Sequence, residues 1–121
     1  MRARVLTACC LLVLAVPAAG CRKSAPLAPK SEIDSVLSEL GIYCGQATEQ
    51  EAFGHSAGLG RLDRAATTSA RHLIRIMRAD PEATYLGQSM RRVVSGAASE
   101  TSECRLSRAA SALAASLGKT H

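Results

Sequence analysis

The 121-residue chain is poor in aromatic side chains, with two Tyr, one Phe and no Trp. Aromatic rings supply much of the contact area in sites for sugars and for single-stranded nucleic acids, so these two ligand classes are disfavoured. The three histidines are scattered, and no His-x-x-x-His or His-Glu-x-x-His motif marks a metal site. We find no constellation of catalytic residues. The sequence therefore predicts a protein that is not an enzyme and holds no cofactor.

The net charge of +5 is concentrated near the N-terminus. Arg2 and Arg4 lie in the first few residues, and three further basic residues lie between residues 22 and 30. Residues 31–121 contain ten basic and ten acidic residues and are formally neutral. A general attraction to the phosphates of nucleic acids is therefore not expected, and no nucleic-acid partner is predicted.

The first 20 residues have the pattern of a secretory signal peptide. A basic start is followed by an apolar run from Val5 to Val16 and then by small residues before Cys21. The apolar run is shorter than the roughly 20 residues that a permanent membrane-spanning helix needs. Residues 1–20 are therefore predicted to be a cleaved leader, which places the rest of the protein outside the cytoplasm.

The end of this leader, Ala18-Ala19-Gly20-Cys21, resembles the lipobox of bacterial lipoproteins. The resemblance implies that the Cys21 thiol is acylated and anchors the protein in the cell membrane or the outer membrane. It departs from the usual pattern at Ala18, where Leu is common. Val16-Pro17-Ala18 also suits an ordinary signal peptidase, whose action would release a soluble secreted protein. Residues 21–30 contain two prolines and few apolar residues and are predicted to form a flexible tether.

Four stretches of apolar residues at helical spacing follow the tether and predict four helices in residues 31–121. The first helix spans residues 31–51 and starts with the Ser31 hydroxyl as its cap. Gly41 and Gly45 weaken this helix by about 1 kcal/mol each relative to Ala. They either interrupt the helix or allow a close helix neighbour. A glycine-rich loop comes next.

The second helix, at residues 61–79, has the clearest apolar stripe. Asp-Pro-Glu at residues 80–82 predicts the start of a third helix, whose apolar face lies within residues 86–97. A polar turn at residues 99–102 leads to a fourth helix at residues 103–118. The predicted fold is all-α, a small up-and-down bundle of about four helices.

The cysteine count supports both the lipid anchor and a disulfide. Cys9 and Cys10 leave with the leader, and acylation of Cys21 leaves the pair Cys44 and Cys104. In an up-and-down bundle, the end of the first helix and the start of the fourth lie at the same end, so these two thiols are expected to meet. Their spacing is unlike the Cys-x-x-Cys of thiol exchange. A structural disulfide is predicted; a metal or redox pair is the alternative.

Four arginines of the second helix, Arg64, Arg71, Arg75 and Arg78, lie opposite its apolar stripe. One interpretation is a solvated face neutralised by acids of neighbouring helices. The other is a docking surface for an anionic partner, such as phospholipid headgroups, a wall polymer or an acidic protein face.

Together these patterns predict an exported, membrane-anchored lipoprotein with a non-enzymatic interaction or structural role in the cell envelope. Two alternatives remain open. One is an extracytoplasmic protein that binds a small ligand or a metal, for which Cys44, His55 and Cys104 form the best candidate trio. The other is a soluble secreted helical protein.

Overall fold

The computed structural model describes residues 26–118. The predicted leader and Cys21 therefore lie outside the described residues. The described chain folds into four α-helices, a single 3-10 turn and a two-stranded hairpin, which confirms the predicted all-α bundle. These elements are α1 (Lys30–Ala52), the 3-10 turn (Ser56–Gly58), α2 (Leu59–Ala79), β1 (Thr84–Tyr85), β2 (Gln88–Ser89), α3 (Met90–Glu103) and α4 (Ser107–Gly118).

Helix α2 lies between α1 and α4 and packs extensively against both, while α3 packs mainly against α4. The core consists of aliphatic side chains from all four helices, and no described aromatic residue is fully buried. Its largest fully buried members are Ile33, Leu40, Leu73, Met77, Met90, Leu106 and Leu113. Burial of these apolar surfaces, rather than aromatic packing, holds the helices together.

Helix α1 is continuous through Gly41 and Gly45, so the predicted interruption is wrong. Both glycines are exposed, and a Cβ atom at either would meet no other atom within 4 Å. The predicted close neighbour is therefore also absent within the described residues. The helix begins one residue before Ser31, and its N-terminal cap is Pro29, which makes no side-chain capping bond.

The third helix does not start at residues 80–82, as the sequence predicted, but at Met90. The Asp80 carboxylate instead accepts a hydrogen bond from the backbone N–H of Glu82 (3.3 Å), which is a turn contact. The cap of α3 is Ser89, whose hydroxyl accepts from the backbone N–H of Arg92 (3.4 Å). The Asp-Pro-Glu pattern is typical of a helix start, but here it marks a turn.

A β-hairpin fills the gap between α2 and α3. Strands β1 and β2 are antiparallel, with Thr84 opposite Ser89. The two residues that join them, Leu86 and Gly87, both have positive φ values of 50° and 80°, as two-residue hairpin turns of this kind require. Leu86 was predicted on the apolar face of a helix but is 72% exposed.

Residues 26–29, the predicted end of the tether, belong to the fold. The backbone N–H of Thr84 donates to the Pro26 carbonyl (2.9 Å), and the N–H of Ala28 donates to the Thr84 carbonyl (2.9 Å). Ala28 is buried against the core. The boundary of the helical domain therefore lies at or before residue 26, and the rest of the tether lies outside the described residues.

The predicted turn at residues 99–102 is helical, because α3 continues to Glu103. Thr101 is fully buried, and its hydroxyl donates to the Ala97 carbonyl one turn earlier (2.9 Å), which removes the polar cost of its burial. The chain reverses at Cys104–Leu106, and α4 begins at Ser107.

Cys44 and Cys104 form a disulfide, with Cα atoms 5.3 Å apart. Cys44 lies on the buried face of α1. Cys104 is the C-terminal cap of α3 rather than part of the opening turn of α4. The predicted pairing is confirmed, and it joins the first helix to the junction between the last two.

Candidate functional site

The predicted arginines lie on the solvent side of α2. Arg64, Arg71, Arg75 and Arg78 are all exposed, whereas the opposite side of the helix is buried in the core. Their spacing of three, four and seven residues places them in a line along one helix face. At 1.5 Å per residue the line is about 21 Å long. The predicted stripe is thus a continuous row of cations.

This row borders a groove between α2 and α4. One part of the groove, of about 330 Å³, is lined by Arg71, Arg75 and Arg78 together with small residues of α4. The adjoining part, of about 410 Å³, is lined by Arg64, Arg71 and Arg108. Arg71 lines both parts. We call the surface formed by the five residues the arginine groove: Arg64, Arg71, Arg75, Arg78 and Arg108.

Small side chains form the walls between these arginines. Ala112 lines both parts of the groove, and Thr67 and Ser116 lie one in each. The Thr67 hydroxyl donates to the Asp63 carbonyl (2.7 Å), and the Ser116 hydroxyl donates to the Leu113 carbonyl (2.7 Å). Because these hydroxyl protons are used within their own helices, the guanidinium groups are the principal donors that the groove offers a ligand.

A buried carboxylate fixes α4 against α2. Asp63 of α2 accepts hydrogen bonds from the backbone N–H groups of Arg108 (2.9 Å) and Ala109 (3.1 Å). These are first-turn N–H groups of α4, which have no partner within their own helix. Asp63 therefore caps a neighbouring helix, and it places Arg108 beside the arginines of α2.

The sequence did not single out Asp63 or Arg108. An acid directly beside the apolar stripe of an amphipathic helix was a possible signal for Asp63. Arg108 lies on another helix, and only the packing of α4 on α2 brings it to the groove. Sequence spacing alone contains no signal for that contact.

No carboxylate in residues 26–118 lies within 4.0 Å of a guanidinium nitrogen of the arginine groove. Three carboxylates of the described chain contact other basic side chains instead: Asp34 contacts Lys30, Glu32 lies 4.0 Å from the His72 ring, and Glu51 contacts Arg105. The described acids therefore make no direct pair with these arginines, although Glu32 and Asp80 line a depression together with Arg75. The guanidinium groups remain available to an external anion.

The neutral domain is polarised, because its acids and bases occupy different helices. Helix α1 contains one basic and five acidic residues, a net charge of −4. Helix α2 contains five arginines and a single acid, the buried Asp63, a net charge of +4. Helix α4 adds Arg108 and no acid. A neutral total therefore coexists with a strong local positive field at the groove.

A second depression adjoins the arginine groove. It has a volume of about 360 Å³, and its lining combines the apolar residues Leu27, Pro29 and Ile76 with His72 and the acids Glu32 and Asp80. Arg75 lines both this depression and the groove. Leu27 is 85% exposed, although its backbone is paired with Thr84. The segment through which the chain enters the bundle therefore lies next to the row of arginines.

The candidate metal trio is not available as a set of ligands. Cys44 and Cys104 are joined in the disulfide, so neither offers a thiolate. His55 is exposed, with its ring 6.4 Å from that of Phe53. Within residues 26–118, no group of three His, Cys, Asp or Glu side chains is placed to hold a metal ion.

The expectation from the sequence that no Gly-x-Ser-x-Gly motif is present is wrong, because residues 54–58 match it. They are Gly-His-Ser-Ala-Gly, which has the Gly-x-Ser-x-Gly spacing of hydrolase nucleophile elbows. In such an elbow the serine lies on a sharp turn from a strand into a helix. Here the pentapeptide follows α1, and its last three residues form the 3-10 turn before α2. The structural context of an elbow is missing, so the motif does not support a hydrolase.

None of the helices in residues 26–118 combines the length and hydropathy needed to cross a bilayer. Comparisons of the chain with protein-family models, with curated proteins and with solved structures found no match.

Proposed function

We propose that this chain is an exported protein of the cell envelope, anchored through an acylated Cys21, which binds an anionic envelope component with its arginine groove and catalyses no reaction. The observation that carries the proposal is the row of guanidinium groups without a carboxylate partner in the described residues. Arginines that only solubilise a surface are commonly interspersed with acids. Here five of the ten acids lie on α1, and the one acid of α2, Asp63, is buried.

The shape of the groove favours an extended anion over a small one. Guanidinium groups donate in a planar fork that matches phosphate and carboxylate oxygens. A row about 21 Å long is much longer than a single phosphate. The expected partner is therefore a charged surface or a polymer that contacts several arginines together.

Two further observations support the export component of the proposal. The sequence of residues 1–21 has the pattern of a leader with a lipobox. In addition, Cys44 and Cys104 are paired, and such disulfides persist mainly in oxidising compartments outside the cytoplasm.

Export and acylation are tested on the native protein. We expect mass spectrometry of protein from its own cells to find an N-terminus at Cys21 with an added diacylglycerol. The variant Cys21→Ser should lose this modification and leave the membrane fraction. A soluble protein that starts at Ala19 would show that the protein is secreted without an anchor. An intact Met1 would refute export.

The groove is tested by comparing two variants of equal net charge. Arg71→Gln/Arg75→Gln removes two guanidinium groups from the groove, whereas Arg92→Gln/Arg105→Gln removes two that do not line it. We expect the groove variant to elute from phosphocellulose at lower salt than the wild type, and the control to elute close to the wild type. Equal shifts in the two variants would show that net charge, not the groove, governs binding.

A further inference from the structure

We infer that the anionic partner is the phospholipid headgroup layer of the membrane that carries the Cys21 anchor, and that the bundle lies on its side with the arginine groove against the phosphates. This inference rests on the proposed function and names the partner of the same groove. It is carried by the place where the chain enters the bundle, by the position of Arg75 and by the separation of charge between α1 and α2.

The point of entry keeps the bundle close to the anchor. The carbonyl of Pro26 is held by the backbone N–H of Thr84, so the chain joins the fold at the hairpin end of the bundle. Cys21 precedes Pro26 by five residues. Even a fully extended chain spans at most about 18 Å over that distance. An acylated Cys21 would therefore hold this end of the bundle within reach of the headgroups.

Arg75 shows which side of the bundle the membrane would meet. It lines the depression that contains Leu27 and Pro29, and it also lines the groove with Arg71 and Arg78. The row of arginines therefore lies between the entry segment, beside α1, and the groove, beside α4. Leu27, exposed beside this row, supplies an apolar side chain suited to the boundary between headgroups and acyl chains.

The charge distribution favours the same orientation. Each basic side chain near an anionic membrane contributes about 1 kcal/mol, and the groove presents five. Glu39 of α1 lies across α2 from α4, because it accepts a hydrogen bond from Ser69 on one side of α2 (2.8 Å), while Asp63 on the other side caps α4. With the groove on the membrane, Glu39 is kept away from the anionic lipid, whereas Glu32 lines the depression beside Arg75 and lies near the lipid.

The alternative orientation is an upright bundle that contacts the membrane only with the hairpin end. Exposed Leu86 at the hairpin tip would then be the residue that meets the lipid. The two orientations differ in whether the middle of the helices contacts lipid. In the upright bundle no helix contacts lipid at that height, whereas in the bundle on its side the groove does.

Two tryptophan reporters separate these orientations, because the chain contains no Trp of its own. Thr68 is exposed and lines the groove, about 17 Å along α2 from the hairpin end. Ile42 is 56% exposed on the antiparallel α1, about 18 Å from the same end. Thr68→Trp and Ile42→Trp therefore report at matched heights on different sides of the bundle.

The experiment uses the acylated full-length mature protein in vesicles of brominated phosphatidylcholine and phosphatidylglycerol. We expect the bromine atoms to quench the fluorescence of Thr68→Trp but not of Ile42→Trp. Quenching of Thr68→Trp should disappear in vesicles of phosphatidylcholine alone. It should also disappear near 1 M salt, where the screening length falls to about 3 Å. Circular dichroism confirms that both variants fold.

In Thr68→Trp combined with Arg71→Gln/Arg75→Gln, two contacts between arginines and lipid are lost. The equilibrium ratio of molecules with the groove on the membrane to molecules with the groove in solvent should therefore fall about thirtyfold. Arg92→Gln/Arg105→Gln should leave quenching unchanged. Equal quenching of the two reporters, or none of Thr68→Trp, would overturn the inference. If phosphocellulose binding still depended on the groove, the proposed function would stand with another anionic partner. If phosphocellulose binding did not depend on the groove either, both the membrane inference and the proposed function would fail.

Discussion

The two ends of the bundle are held by different kinds of interaction. At the disulfide end, Cys44 is bonded to Cys104, and the buried carboxylate of Asp63 caps α4. At the hairpin end, residues 26–28 pair with Thr84, and the exposed side chain of Asp34 bonds to its neighbours. One end is fixed by a covalent bond and buried polar contacts, while the other depends on solvated ones. The hairpin end, which is proposed to lie near the anchor, is therefore expected to be disrupted more easily than the disulfide end.

The largest expected effect is loss of the disulfide. The two cysteines are 60 residues apart in the sequence, and closing a loop of that length stabilises the folded state by about 4 kcal/mol on the chain-entropy account. We expect Cys44→Ala/Cys104→Ala to lower the free energy of unfolding by about that amount in urea titrations. A loss below about 1 kcal/mol would contradict the account of a covalently held end.

The next largest effect is expected at the buried cap. Asp63→Ala leaves the backbone N–H groups of Arg108 and Ala109 without their acceptor. Loss of a cap combined with two unsatisfied groups should cost about 2 kcal/mol. Asp63→Asn, which retains one acceptor oxygen, should cost less. Chemical denaturation measures both, and an unchanged Asp63→Ala would show that α4 is fixed by apolar packing alone.

Helix α1 connects the two ends, and its glycines are expected to limit its stability. Gly41→Ala and Gly45→Ala should each raise the free energy of unfolding by about 1 kcal/mol, since an added methyl group meets no atom within 4 Å at either site. Thermal unfolding monitored by circular dichroism tests this. Destabilisation at Gly45, next to the disulfide, but not at Gly41 would reveal a steric constraint at that end.

The smallest effects are expected at the hairpin end. The Asp34 carboxylate accepts hydrogen bonds from Lys30 (2.8 Å) and from the Tyr85 hydroxyl (2.6 Å). These bonds, Lys30 first, lower the pKa of Asp34 below its ordinary value of 3.8. The same carboxylate raises the pKa of Tyr85 above 10.0 and that of Lys30 above 10.5.

The sign of the pH dependence follows from these shifts. Because the pKa of Asp34 is lowered on folding, its contribution to stability is present above pH 3.8 and is lost as the pH falls through the folded-state pKa. Because the pKa of Tyr85 is raised, its contribution is present below pH 10.0 and is lost as the pH rises through the folded-state value. Tyr85→Phe should slightly lower the melting temperature at neutral pH.

An NMR titration of Asp34 provides the sharper test of the hairpin end. We expect Lys30→Ala to raise the pKa of Asp34 more than Tyr85→Phe does, because the bond from Lys30 is the larger cause of the shift. A pKa of Asp34 that is unchanged in both variants would mean that these exposed bonds are not formed in solution.

Regions with one strong signal could be predicted from the sequence. Helix α2 was expected at residues 61–79 and spans Leu59–Ala79, because its apolar and charged faces are sharply separated. The pairing of Cys44 with Cys104 followed from the cysteine count together with the expected bundle. Each prediction depended on one strong pattern in the sequence.

The hairpin could not be predicted because its signals conflict. Asp-Pro-Glu at residues 80–82 is typical of a helix start, and the apolar residues after it continue at helical spacing. A two-residue turn normally has Asn or Gly where Leu86 stands, since a leucine rarely adopts a positive φ. The pairing of residues 26–28 with Thr84 links distant parts of the chain, and no local pattern encodes it.

The candidate site was predicted in part. The four arginines of α2 were recognised, but the groove was not, because it depends on the packing of α4 and on Arg108. The neutral charge of the domain also concealed the separation between an acidic α1 and a basic α2. A sum over the sequence cannot report where the charges lie in the fold.

The most direct test of the central claim, that anions bind in the arginine groove, is an NMR titration of the full-length mature protein with inorganic polyphosphate. We predict that the backbone amide signals of Arg71, Arg75 and Arg108 shift together with those of the groove walls, while the signals of α1 do not move. Shifts that centre on α3, or that spread evenly over the surface, would contradict the account.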